Sequence, residues 1–289
     1  MVEGMAAGDV EQGAGTELPA GMVVVVGGGT MGAGIAQSIV QAGAAVRLCE
    51  VSDEAAAAAR DRVVAGLARA DDAGAIARLD VVTGIGACPA ATLAIEAVPE
   101  DAGLKRRVLP GIEDAVPAGT VIATNTSSLS VAAMADGLRD ASRFVGMHFF
   151  NPVPRSALVE IVTTPATGTE AVAAARAWVR ALGKEEIVVR DSPGFATSRL
   201  GVLIGLEAIR MVEEGVASPE DIDRGMVLGY RFPMGPLRLT DLVGLDVRLA
   251  IAEHLAGTLG ERFEPPALLH QKVAAGELGK KSGKGFFDW

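Results

Sequence analysis

Cysteine is nearly missing from this chain: among 289 residues there are only Cys49 and Cys88, with no short metal-ligand spacing between them. Neither a disulfide framework nor a zinc site is suggested, and a reducing, cytoplasmic setting is expected. Basic residues are also outnumbered, with 26 Lys and Arg against 36 Asp and Glu and a net charge of −10. That balance argues against a general binder of nucleic acid or of anionic membranes, so any phosphate-bearing ligand must be held locally. The first twenty residues lack the positive start and apolar run of a signal peptide. With Glu3, Asp9, Glu11 and Glu17 among Gly and Ala, residues 1–20 read as a disordered tail. Charge is absent from Leu18 to Val46, a length that could cross a bilayer. Glycines at 27, 28, 29, 32 and 34, with Gln37, Ser38 and Gln41, favour strand, turn and helix instead.

What is present is a chain with 49% hydrophobic residues, enough for a real core. From Met22 to about Val189 short β-branched runs alternate with helical stretches: Met22–Val26, Val46–Glu50, Leu93–Ala97, Val121–Thr124, Phe144–Met147, Leu158–Val162 and Ile187–Val189. Alternation of this kind predicts a mostly parallel sheet covered by helices. One intervening helix is well marked, with Thr169 as its cap and Gly183 as its stop. After "RDSPGF" the text turns helical, as in "SRLGVLIGLEAIRMVEEG" and in "SPEDIDRGMVLG", where Ser218 caps and Pro219 takes the first helical position. The expected fold class is α/β: a Rossmann-type, mostly parallel sheet domain over residues 21–190, followed by an all-α C-terminal domain over 191–289.

"VVVVGGGTMGAGIAQ" places Gly27-x-Gly29-x-x-Gly32 directly after a strand and at the opening of a helix. The first glycine permits a tight turn, the second lets backbone approach a pyrophosphate, and the third lets helix pack on strand. The helix start, with Thr30 and Met31, offers N–H groups to an anion. Glu50 ends the second strand, 18 residues beyond Gly32, where a carboxylate can accept hydrogen bonds from an adenosine ribose. No basic residue follows it at once, as a 2′-phosphate would prefer, and Arg47 is expected to face the other way. The expected cofactor is NAD rather than NADP.

Two ionisable residues sit where apolar ones belong. His148, one of three histidines, lies in "GMHFFNPVP", and Glu160 stands alone in "LVEIV". Each has a bland reading, a core histidine satisfied by a carbonyl and a strand-end carboxylate reaching water. Each also has a functional one, since a buried ionisable group is tolerated only when paired.

"ATNTSSLS", "GMHFFNP", "DSPGF", "PMGPL" and "LGKKSGKGFFDW" follow one another in a recognisable order. With them the chain resembles the 3-hydroxyacyl-CoA dehydrogenase family, most closely its short 3-hydroxybutyryl-CoA dehydrogenase type, over nearly everything from Met22 to Trp289. The resemblance implies oxidation of (S)-3-hydroxyacyl thioesters by NAD in a cleft between a Rossmann domain and a helical dimerisation domain, and a homodimer. It makes His148 the general base for the 3-hydroxyl, Glu160 the group that orients and charges its imidazole, and Ser127 a hydrogen-bond partner of the reacting oxygen. It places Glu100 and Lys105 near the nicotinamide ribose and phosphates, and lines the cleft with Asn125 and Asn151. His254 and His270 match nothing catalytic. Two departures stand out. Ser198 occupies the position of a substrate-contacting asparagine and has a shorter reach. The stretch between Glu50 and Glu100 is shorter than many relatives carry, which implies a weaker hold on the nucleotide end of CoA and leaves an acyl group on a carrier protein as an alternative substrate.

Overall fold

The structure, a computed structural model, describes residues 18–289. The expectation of a tail over residues 1–20 therefore falls largely outside the described residues; Leu18 itself packs against the core. The chain divides into two compact units, one running through Thr126 and from Val131 to Asp191, the other made of Ser127–Ser130 and Ser192–Trp289.

The first unit is an eight-stranded sheet: β1 (Met22–Val26), β2 (Ala45–Glu50), β3 (Leu79–Thr83), β4 (Ala91–Glu96), β5 (Val121–Thr124), β6 (Phe144–Phe149), β7 (Leu158–Thr163) and β8 (Glu185–Arg190). Their order is β3-β2-β1-β4-β5-β6-β7-β8. All neighbours run parallel except β6 and β7, which are antiparallel. Crossovers by α1 (Thr30–Gln41), α2 (Asp53–Arg69), α3 (Ala102–Ala115), the short α4 (Val131–Ala135) and α5 (Thr169–Ala181) enforce the parallel pairs. Between β6 and β7 only a short loop intervenes, too little for a crossover, so the chain reverses. Strand β1 is central and its Val23–Val26 are nearly fully buried, each contributing on the order of 1.5–3 kcal/mol of hydrophobic stabilisation.

Two local expectations are corrected. Helix α5 is capped by Gly168, and Thr169 is its first helical residue. Strand β3, not anticipated from the sequence, is an edge strand in which only Leu79 is buried. It is pinned to β2 by the Arg47–Asp80 ion pair at 2.9 Å, which is also why Arg47 turns away from Glu50.

The second unit is helical: α6 (Thr197–Glu213), α7 (Pro219–Tyr230), α8 (Pro236–Val243), α9 (Leu245–Leu259) and α10 (Ala267–Ala274). The Ser218 side chain accepts from the Asp221 N–H at 3.1 Å with Pro219 in the first turn, as the sequence predicts. Its core gathers Val202, Leu206, Ile209, Leu237, Leu255 and Phe263. The C-terminal segment is tied down by buried Asp241, which accepts from the Phe286 and Phe287 N–H groups and from the Trp289 indole. Among the described residues no helix is long and apolar enough to cross a membrane.

Candidate active site

In a doubly wound sheet the binding crevice opens where neighbouring strands send their chains in opposite directions, here between β1 and β4. The glycine loop sits at that point. Gly27 has φ +97°, and a Cβ there would lie 2.7 Å from the Ala97 carbonyl oxygen; at Gly32 it would lie 1.8 Å from the Gly27 oxygen. Both are fixed by the protein's own backbone. Gly29 differs, because a Cβ there would meet nothing within 4 Å. Its open face is what a bound pyrophosphate needs at the start of α1, whose first turn carries no acidic residue. Thr30 is exposed, and Met31 half-buried.

Glu50 reaches from the end of β2 to this loop: Oε1 accepts from the Gly28 N–H at 2.6 Å and Oε2 from the Val51 N–H at 3.2 Å. From α2, Arg62 donates to the Gly28 carbonyl at 3.2 Å. Arg69 is exposed on the same helix. Neighbouring Cys49 is buried, and burial pushes its thiol up to about 12, which makes it a packing residue rather than a nucleophile.

Across the sheet, His148 and Glu160 are direct register partners on the antiparallel pair β6 and β7. Nδ1 of His148 lies 2.7 Å from Oε2 of Glu160, and both residues are buried. The tilted Phe150 ring covers the imidazole, with centroids 4.4 Å apart. Asn125, at the end of β5, accepts the Phe149 N–H on its Oδ1 at 3.0 Å, so its side chain holds the strand next to His148. Asn151 is exposed just beyond β6.

Glu100 is exposed near the end of the β4–α3 connection and accepts the Thr126 hydroxyl at 2.6 Å. Lys105 is buried. Its ammonium is enclosed between Glu96, 2.8 Å away, Glu100 at 3.3 Å and the Val98 carbonyl at 3.2 Å. Glu96, fully buried, is the member of this cluster that the sequence reading passed over. The signal was there, an acid inside the apolar run "TLAIEAV".

Ser127 and Ser198 belong to the second unit. Ser127 lies in the segment after β5, and Ser198 in the first turn of α6; both are half-buried. His254 and His270 are exposed on α9 and α10.

A glycine loop at the switch point of a parallel sheet, with a strand-end carboxylate on it, is the arrangement of dehydrogenases that use NAD. Residues 22–192 match the NAD-binding domain of 3-hydroxyacyl-CoA dehydrogenase, and residues 194–289 match its C-terminal domain. The chain belongs to the 3-hydroxyacyl-CoA dehydrogenase family and is an NAD-dependent oxidoreductase. It is 40% identical to the 3-hydroxybutyryl-CoA dehydrogenase of Mycobacterium tuberculosis H37Rv, over 92% of this chain and 98% of that protein. It is 39% identical to the 3-hydroxyadipyl-CoA dehydrogenase of Escherichia coli K12, over 92% of this chain and 58% of that longer protein. The crystal structure of (S)-3-hydroxybutyryl-CoA dehydrogenase PaaH1 from Ralstonia eutropha superposes with a TM-score of 0.88 at 40% identity, covering 94% of this chain and 99% of that one.

Proposed function

We propose that the protein interconverts short-chain (S)-3-hydroxyacyl-CoA and 3-ketoacyl-CoA. The observation that supports this most directly is the buried His148–Glu160 pair at 2.7 Å. An alcohol cannot give up hydride from carbon without also losing its hydroxyl proton, and imidazole titrates near working pH. With Glu160 accepting at Nδ1, that nitrogen carries the ring proton and Nε2 is left as the base. His148 takes the 3-hydroxyl proton, Glu160 stabilises the resulting imidazolium, and Ser127 donates to the reacting oxygen. Bound NAD supplies the hydride acceptor. Gly27, Gly29, Gly32 and the first residues of α1 hold its pyrophosphate, Glu50 its adenosine ribose, and Glu100 its nicotinamide end. Asn151 and Ser198 contact the acyl thioester.

The protein acts as a homodimer in the cytoplasm. The helical unit supports the dimer, because it leaves Leu200, Leu239, Leu242, Val243 and Val247 substantially exposed on α6, α8 and α9. An acyl group on a carrier protein is a second substrate reading, favoured by the single helix α2 that, with one 3-10 turn and β3, fills the stretch from β2 to β4. Following NADH absorbance with acetoacetyl-CoA, its pantetheine analogue and a carrier-protein thioester tests both. Turnover is expected with acetoacetyl-CoA. Tight NAD binding without turnover of any 3-ketoacyl thioester or other 3-keto acid would leave a non-catalytic NAD-binding protein.

A further inference from the structure

Behind the glycine loop lies a carboxylate that the reaction chemistry does not use. Glu96 ends β4 with no exposed surface, and its two oxygens take four hydrogen bonds. Oε1 accepts from the Val98 N–H at 2.7 Å and from Lys105 Nζ at 2.8 Å; Oε2 accepts from the Thr124 hydroxyl at 2.6 Å and from Lys105 Nζ at 3.1 Å. A buried ion pair is weak ground for stability, because well-packed apolar residues of the same volume often hold a core as firmly. What a fully satisfied polar cluster adds is a single fixed geometry.

The geometry fixed here is that of the crevice wall. Ala97, the next residue, donates its N–H to the Val26 carbonyl at 2.8 Å, and the Ala97–Val98 backbone closes on Gly27 so tightly that no Cβ fits there. Glu100 is gripped from the same ammonium, with Lys105 Nζ 3.3 Å from its Oε2, while Thr126 holds its Oε1. The backbone carbonyl of Glu96 accepts the Asn125 N–H at 2.8 Å, and Asn125 in turn receives the Phe149 N–H beside His148. One buried residue thus joins the wall of the glycine loop to the strand that carries the base.

We propose that Glu96 is a positioning residue for the coenzyme: with Lys105 as counter-ion it holds the Val98–Glu100 segment in its binding geometry before NAD arrives. The assignment rests on reading Glu100 as a coenzyme contact. An exposed glutamate with a free side chain would lose rotamer freedom on binding, whereas one already held by Lys105 and Thr126 loses little.

Two variants test it. In Glu96→Leu/Lys105→Met the charged pair is replaced by apolar side chains of similar size, and Thr124→Val removes one hydroxyl donor without changing shape. The double variant is expected to fold with a lowered denaturation midpoint, because the Val98 N–H and the Thr124 hydroxyl lose their acceptor, while NADH affinity by fluorescence titration falls at least tenfold and KM for NAD rises more than kcat falls. In Thr124→Val, NADH affinity falls about threefold, and the Val98 amide exchanges faster with deuterium in the coenzyme-free protein. Wild-type NADH affinity in the folded double variant overturns the proposal and returns the pair to core packing. If that variant does not fold, Thr124→Val decides, and unchanged affinity with unchanged Val98 exchange overturns it equally. Glu100→Gln separates the two layers: wild-type NADH affinity there removes Glu100 as a contact, whereas faster Val98 exchange in Thr124→Val tests the hold of Glu96 alone.

Discussion

His148 and Glu160 face each other across the one antiparallel junction of the sheet, with Nδ1 and Oε2 2.7 Å apart. A histidine paired in this way is built for proton transfer, and the pairing gives a graded prediction. His148→Gln is expected to lower kcat by about 10²–10⁴, the range of a lost acid–base group, with NADH affinity unchanged. Glu160→Gln is expected to lower kcat less, since the base is retained and only its charge stabilisation is lost. Stopped-flow turnover with acetoacetyl-CoA alongside NADH titration checks both, and wild-type kcat in the histidine variant contradicts the assignment.

The proposed role of Glu50 gives a prediction on coenzyme preference. Both of its oxygens are already engaged by backbone N–H groups, so Glu50→Ala is expected to loosen the glycine loop as well as to remove the ribose contact. NADH should exceed NADPH in kcat/KM in the native protein. The variant should lose about tenfold or more with NADH, in line with a hydrogen bond to a charged group of about 1.5–3 kcal/mol. Equal turnover with NADPH in the native protein would contradict the reading.

Arg248 on α9 is 5% exposed, and its Nε has no hydrogen-bond partner among the described residues. Burial pushes its guanidinium down to about 10. The missing Cβ of Gly205 leaves the room it occupies, with the guanidinium carbon 3.5 Å from where that Cβ would stand. An unpaired buried cation is destabilising, so Arg248→Met is expected to raise unfolding stability by about 1–3 kcal/mol in urea titration. A loss of stability together with dissociation on light scattering would instead show that a second copy supplies the missing acceptor.

Lys184 gives a pH dependence. It is buried, donates to the Val153 and Ser156 carbonyls at 2.6 Å each, and has a pKa lowered from 10.5 by burial. Below 10.5 the unfolded chain therefore binds more protons at this lysine than the folded one does, and stability rises with pH across that window. A neutral amine still has two hydrogens for the two carbonyls. The stability advantage of the native protein over Lys184→Met is expected to grow as pH approaches 10.5, measured by urea titration at a series of alkaline pH values; a flat difference contradicts it.

Much of this was legible in the sequence, for physical reasons. Strands β1, β4 and β6 are buried on both faces, so they appear as unbroken apolar runs, and an ionisable residue inside one, such as His148, stands out. Edge strand β3 has no such run, because only Leu79 of its five residues is buried, and it merged with the helical text before it. The burial of Lys105 was not legible. A lysine at a helix start ordinarily faces water, and only the fold reveals that Glu96, nine residues earlier, has drawn it inside. The division of Asn125 between a backbone N–H and a cleft could not be read either, since Phe149 reaches it only through the β5–β6 pairing.

The antiparallel turn after β6 has one more consequence, which concerns inheritance and engineering. Because the chain doubles back at once, the whole proposed acid–base pair lies in a single continuous stretch from Phe144 to Thr163. The proposed coenzyme contacts, by contrast, are scattered from Gly27 to Glu100. A cassette covering the hairpin can thus be exchanged with that of a relative by recombination at two breakpoints, carrying its proton chemistry along, whereas coenzyme preference cannot be transplanted in one piece and has to be changed residue by residue.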